Sequence, residues 1–104
     1  MESINRVELQ GYVEDSRITD ISGTQVARIS LRTEFFYKGE TLGAVVETMW
    51  HSIVAWAGEG RDLSIIKKGQ PIKVTGRLRS LSYTDREGNR RESIEILSQK
   101  LERV

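Results

Sequence analysis

The sequence predicts an all-β fold, a small barrel of five antiparallel strands with one short helix between the third and fourth. Two observations predict it. Apolar and polar residues alternate with a period of two over several separate stretches, the spacing that sends successive side chains to opposite faces of a strand. Between those stretches lie polar, glycine-bearing segments at hairpin spacing, and only Arg61–Lys68 breaks the pattern with Leu63, Ile65 and Ile66.

The first strand is expected over Ile4–Val13, where Val7, Leu9, Gly11 and Val13 alternate with Arg6, Glu8, Gln10 and Tyr12. Glu14 to Thr24 is polar and ends in the turn signal Ser22-Gly23-Thr24. The second strand, Val26–Thr33, sets Ala27, Ile29, Leu31 and Thr33 against Arg28, Ser30 and Arg32. Glu34–Gly43, with Phe35, Phe36 and Tyr37 in a row beside Lys38, reads as a long hairpin connection whose aromatic cluster is not fully buried. The third strand, Thr48–Trp56, is rich in β-branched and aromatic residues and free of glycine and proline. It puts Trp50, Ser52, Val54 and Trp56 on one face and His51, Ile53 and Ala55 on the other. At about 3.3 Å per residue the two tryptophans stand about 20 Å apart, a spacing that suits two stacking sites on one extended ligand.

After Gly58-Glu59-Gly60, residues Arg61–Lys68 read as a helix of about two turns, with Asp62 in its first turn, Lys67-Lys68 in its last and Gly69 following the cap. Pro71 opens the fourth strand, in which Ile72, Val74, Gly76 and Leu78 oppose Lys73, Thr75, Arg77 and Arg79. A polar hairpin across Tyr83–Arg91 leads to the last strand, Ser93–Ser98. This order, in a single domain over residues 1–104, matches the five-stranded Greek-key barrel called the OB-fold, whose members bind oligonucleotides and oligosaccharides.

Composition narrows the function further. Sixteen Lys and Arg balance fifteen Asp and Glu, so an electrostatic site must come from local segregation rather than from net charge. The chain has no cysteine and one histidine, which excludes disulfides, thiolate metal sites and His clusters, and no cofactor is expected. No paired carboxylates, P-loop or nucleophile constellation points to an enzyme. The first residues lack the basic start and apolar run of a signal peptide, and no apolar run is long enough to span a bilayer, so the cytoplasm is the expected compartment.

The residues themselves resemble the bacterial single-stranded DNA-binding protein family. Ile4-Asn5-Arg6-Val7-Glu8-Leu9-Gln10-Gly11 is similar to that family's N-V-x-L-x-G start, and Val26–Thr33 resembles its second strand. Thr48-Met49-Trp50-His51 followed by Ile53-Val54 looks like its T-x-W-H-x-V-V motif. Lys67-Lys68-Gly69-Gln70 with Val74-Thr75-Gly76-Arg77-Leu78-Arg79, then Tyr83-Thr84-Asp85 and Gly88, resembles the stretch that follows. The resemblance covers nearly the whole chain.

It implies sequence-independent binding and protection of single-stranded DNA, or of RNA, in replication, recombination or repair. It also implies a nucleoid-associated homo-oligomer, with a tetramer favoured over a dimer. The family's base-stacking aromatics fall on Tyr37, Trp50, Trp56 and Tyr83. Candidates for holding the phosphate backbone are Arg28, Arg32, Lys38, Lys73, Arg77, Arg79, Arg86, Arg90 and Arg91. Ser52, Gly58, Leu81 and Ser82 stand where members often carry cations. Members usually continue into a Gly- and Pro-rich tail with an acidic tip that recruits replication proteins; the chain ends at Lys100-Leu101-Glu102-Arg103-Val104, so such a tip is not expected, as in a short paralogue of a mobile element or a trimmed chain.

Each candidate has a plainer reading. The tryptophans can be core, Tyr37 can pack on Phe35 and Phe36, and the arginines can be solvated partners of Glu8, Glu47 or Glu95. Two other functions remain open on the same fold: a dimeric primosomal accessory protein, and a module that contacts protein or sugar.

Overall fold

In the computed structural model, residues 1–39 and 43–104 are described. Five strands, β1 (Val7–Ile21), β2 (Thr24–Gly39), β3 (Gly43–Trp56), β4 (Pro71–Thr84) and β5 (Arg90–Arg103), close into a barrel in the order β1-β2-β3-β5-β4. All neighbours are antiparallel except β3 and β5, which meet in parallel at Ile53↔Ile96 and Val54↔Leu97. This is the OB-type barrel that the strand order predicts.

The period-two pattern decides which side chains fill it. Val13, Ala27, Ile29, Leu31, Ile53, Ala55, Ile72, Val74 and Ile96 point inward and are buried, with Leu63, Ile66 and Leu101 added to the same cluster. The narrowest fits are at backbone crossings. A Cβ on Gly11 would lie 2.2 Å from the Arg32 carbonyl oxygen, and one on Gly76 would lie 2.2 Å from that of Leu97, so neither position has room for a side chain.

Several element boundaries differ from those expected. β1 starts at Val7 rather than Ile4, because the Asn5 side-chain amide takes over the pairing: it donates to the Leu78 carbonyl at 2.8 Å and accepts from the Leu78 N–H at 2.9 Å. At its other end β1 runs through the polar segment to Ile21, pairing with β2 beyond a bulge at Glu14. The Ser22-Gly23 turn falls where its signal stands, with positive φ at both residues as a two-residue hairpin turn requires.

The expected long connection after Thr33 is instead paired strand, since β2 and β3 stay in register up to Gly39↔Gly43; the part of that connection at 40–42 lies outside the described residues. The two-turn helix reduces to one 3-10 turn, Leu63–Ile65, capped by the Asp62 carboxylate on the Ser64 N–H at 3.0 Å. A repeat of three brings Leu63 and Ile66 onto one side, so a single tight turn suffices to close the barrel floor. Lys67 and Lys68 lie past it, and the expected dipole interaction has no helix to act on.

One inward position is not buried as expected, and one strand is longer than expected. Leu78 follows the parity of Ile72 and Val74 but is exposed, because β1 pairs β4 only as far as Gly76 and leaves the strand uncovered beyond. Conversely β5 runs well past the expected Ser93–Ser98, over Arg90–Arg103, with Gln99 bulged out between Ser98 and Lys100.

Candidate nucleic-acid interface

Strand register assembles the outer face of the barrel in rows. Tyr12, Arg32 and Trp50 form one row across β1, β2 and β3; Asp15, Ser30 and Ser52 form the next. Arg17, Arg28 and Val54 follow, then Thr19, Val26 and Trp56. The two tryptophans thus mark the ends of a strip along β3, with two small or short residues between them.

Those residues leave a depression of about 390 Å3 lined by Arg17, Arg28, Ser30, Ser52, Val54 and Glu95, among others. Trp50 is 57% exposed at its upper end, while Trp56 is half-buried at the lower end beside the buried Val26. The Trp56 carbonyl accepts from Arg61 Nε at 2.7 Å, which fixes the backbone there. Val54, on the same face as the rings, is fully buried and forms the floor.

The other rim comes from the β4–β5 hairpin. By parity Arg77, Arg79, Leu81 and Tyr83 on β4 share the outer face with Arg91 and Glu95 on β5. Tyr83 is 54% exposed near the hairpin tip. The tip is built on Asp85, whose Oδ1 accepts the N–H groups of Glu87 and Asn89 at 3.0 and 2.9 Å while Oδ2 takes Arg91 Nε at 3.0 Å. Hydrogen bonds from Arg91 first, then from the Asn89 backbone, hold the Asp85 carboxyl below its ordinary value.

Of the residues that the sequence proposes, Trp50, Trp56 and Tyr83 share the outer face with Arg28, Arg32, Lys38, Arg77, Arg79 and Arg91. Tyr37 lies on the opposite side of the β2–β3 ribbon, where its ring centroid is 6.1 Å from that of Phe35 with the planes tilted by 42°; Phe36 takes the Trp50 side. Arg90 also lies on the inner side, with Nε on the Ser82 hydroxyl at 3.0 Å, and Arg86 is exposed in the turn. Lys73 stands on the β1–β4 wall, away from β3, where it pairs with Glu8 at 3.3 Å.

Several of the cations are already partnered. Arg32 sits between Glu14 at 2.7 Å and Glu34 at 3.0 Å and lies over the Tyr12 ring at 5.4 Å. Arg79 reaches Glu95 with two nitrogens, at 2.7 and 2.5 Å, and Glu95 is 8% exposed. Arg28, Lys38, Arg77 and Arg86 have no carboxylate partner among the described residues. On the inner side His51 bonds the Thr33 hydroxyl at 2.7 Å, and its partial burial pushes its pKa below 6.5.

Sequence reasoning missed Arg17, Tyr12 and Phe36 as members of these surfaces. Tyr12 was readable from the polar parity of the first strand. Arg17 was hidden because its segment carries no apolar alternation, and Phe36 is set on the Trp50 side only by the register of the β2–β3 pair. Among the described residues no cluster of His, Cys, Asp and Glu could hold a metal, and no helix is long and apolar enough to cross a membrane.

Known proteins are similar to this chain in sequence and in fold. Residues 4–104 match the model of the family described as the single-strand binding protein family. Single-stranded DNA-binding protein 1 of Xylella fastidiosa is 34% identical over 98% of this chain and 78% of its own length. The mitochondrial single-stranded DNA-binding protein of Drosophila melanogaster is 30% identical over 92% of this chain and 68% of its own. Among solved structures, a Plasmodium falciparum single-strand binding protein in complex with single-stranded DNA superposes with a TM-score of 0.77 at 24% identity, covering 98% of this chain and 94% of that one. A deletion variant of the Thermus aquaticus single-stranded DNA-binding protein gives 0.77 at 17% identity, over 97% of this chain and half of that one. These two share the fold. The family match over nearly the whole chain, with the two relatives, is decisive: this chain belongs to the single-strand binding protein family, whose members bind DNA without catalysing a reaction.

Proposed function

We propose that the chain binds single-stranded DNA without sequence preference, by stacking bases on Trp50, Trp56 and Tyr83 while arginines of the outer face take the phosphates. The observation that carries this reading is the exposed Trp50 ring beside Arg32, at the head of a strip that ends in Trp56. Every base offers a π-face, so stacking at about 1–3 kcal/mol per base ignores sequence. Tyr37 belongs to the site if the strand passes around the β2–β3 ribbon, since its ring stands on the ribbon's other side. Protection of single strands in replication, recombination or repair, in the cytoplasm at the nucleoid, is the corresponding role, and RNA is a second substrate of the same chemistry.

A homo-oligomer, with a tetramer preferred over a dimer, completes the reading. Phe35, Phe36, Met49 and Ile94 are each more than 60% exposed, an apolar surface that a lone small barrel seldom leaves to water. Labelled oligo(dT) and the matching duplex, compared by anisotropy at low salt, test the binding; equal affinity for both would overturn it. Light scattering at micromolar protein tests the assembly, and a mass of two chains would favour the dimeric accessory role instead.

A further inference from the structure

We propose that Arg17 and Arg28 together form a phosphate clamp between the two tryptophans, one register row from Trp56 and two from Trp50, holding one phosphodiester of the strand whose bases stack at either end. This inference rests on the stacking strip proposed above and adds a residue, Arg17, and a defined ligand atom set to it. Arg17 and Arg28 are direct register partners across β1 and β2, both exposed. Like charges placed opposite one another on a sheet destabilise it unless an anion lies between them.

Among the described residues neither arginine pairs with a carboxylate. Of the two acids that line the depression, Glu95 is held by Arg79, and Asp15, whose Oδ1 accepts the Ser16 N–H at 3.0 Å, bridges to neither arginine. Arg17 and Arg28 both line the depression between the rings, together with Ser30 and Ser52, whose hydroxyls are further hydrogen-bond donors. A phosphate bound there would have two guanidinium groups within the same depression, and planar guanidinium forks match phosphate oxygens.

The test uses Arg17→Gln, Arg28→Gln and the double variant in oligo(dT) titrations from 50 mM to 1 M salt. Each single variant is expected to lower the salt slope by about 0.7, which widens to about an eightfold loss of affinity at 50 mM if the curves converge at 1 M. The double variant should lose little more than either single one, because both arginines serve one phosphate. Thermal stability without DNA should stay equal or rise in the single variants, since an opposed pair of charges is relieved; a purely structural role predicts the reverse. Unchanged slopes in the single variants, with the wild type still binding, would overturn the clamp alone. A double variant that loses about 1.4 would show two separate phosphates and also overturn it. A wild type that ignores oligo(dT) would overturn the stacking strip together with the clamp.

Discussion

Trp50 and Trp56 lie on one face of one strand yet differ in burial, and that difference predicts different mutants. Trp50→Ala removes an exposed ring, so affinity for any sequence should fall by about 1–3 kcal/mol with no change in melting temperature. Trp56→Ala also uncovers Val26, so it should lower both affinity and melting temperature. Calorimetry beside the binding titration separates the two effects. The Arg79–Glu95 pair makes a second prediction at this scale. Arg79→Ala leaves the buried Glu95 carboxylate without its partner, which costs about 3 kcal/mol of stability and places an unmatched negative charge beside the groove. Glu95→Gln should instead free a cation, steepening the salt dependence of binding by about 0.7. If Glu95→Gln weakens binding, Arg79 is not in the strand's path. The parity of Trp50 was legible in the sequence, as was Glu95 as a candidate partner for an arginine. The partner choice of Arg32 was not, because Glu14 reaches it only through a bulge that no local pattern announces.

At the scale of elements, strand existence and facing were legible from the alternation of Val7–Val13, Val26–Thr33, Thr48–Trp56 and Ile72–Val74. Strand length was not. The ends of β1, β2, β4 and β5 extend as paired arms exposed on both sides, and an arm with two wet faces has no apolar alternation to read. The helix was overestimated for a related reason: Leu63, Ile65 and Ile66 suit a longer amphipathic turn, but the barrel floor needs only Leu63 and Ile66. Gly11 stands at a close backbone approach, where the Arg32 carbonyl occupies the space a Cβ would need. Gly11→Ala must therefore shift β1 against β2 and should destabilise the barrel by about 1–3 kcal/mol in urea unfolding; an unchanged midpoint would mean that the strands separate freely there. The β4–β5 hairpin carries a pH dependence. Asp85 is held below its ordinary value near 3.8 chiefly by Arg91. Its contribution is complete above that value and is lost as pH falls through the lowered one. Amide exchange at Glu87 and Asn89, read between pH 5 and 2, should show the tip opening only in the acid range. In Asp85→Asn the tip should already be looser at pH 5.

For the whole molecule, a net charge of +1 conceals an uneven arrangement. Carboxylates answer Arg32, Lys73, Arg79 and Arg91, while Arg17, Arg28 and Arg77 on the outer face have none among the described residues. These three arginines lie around the strip between the rings, where local field rather than total charge would attract the proposed strand. Fold class and family were legible in full from strand order and motif. The boundary between the outer face and the ribbon's inner side, which divides Trp50 from Tyr37, became visible only with the register of β2 and β3. The central claim is that Trp50 stacks on a single-stranded base. Replacing Trp56 by Phe leaves Trp50 as the sole tryptophan, and its emission can then be followed while oligo(dT) is added at low salt. The account predicts saturable quenching that reverses as salt is raised. Binding by anisotropy with no change in Trp50 emission would contradict it.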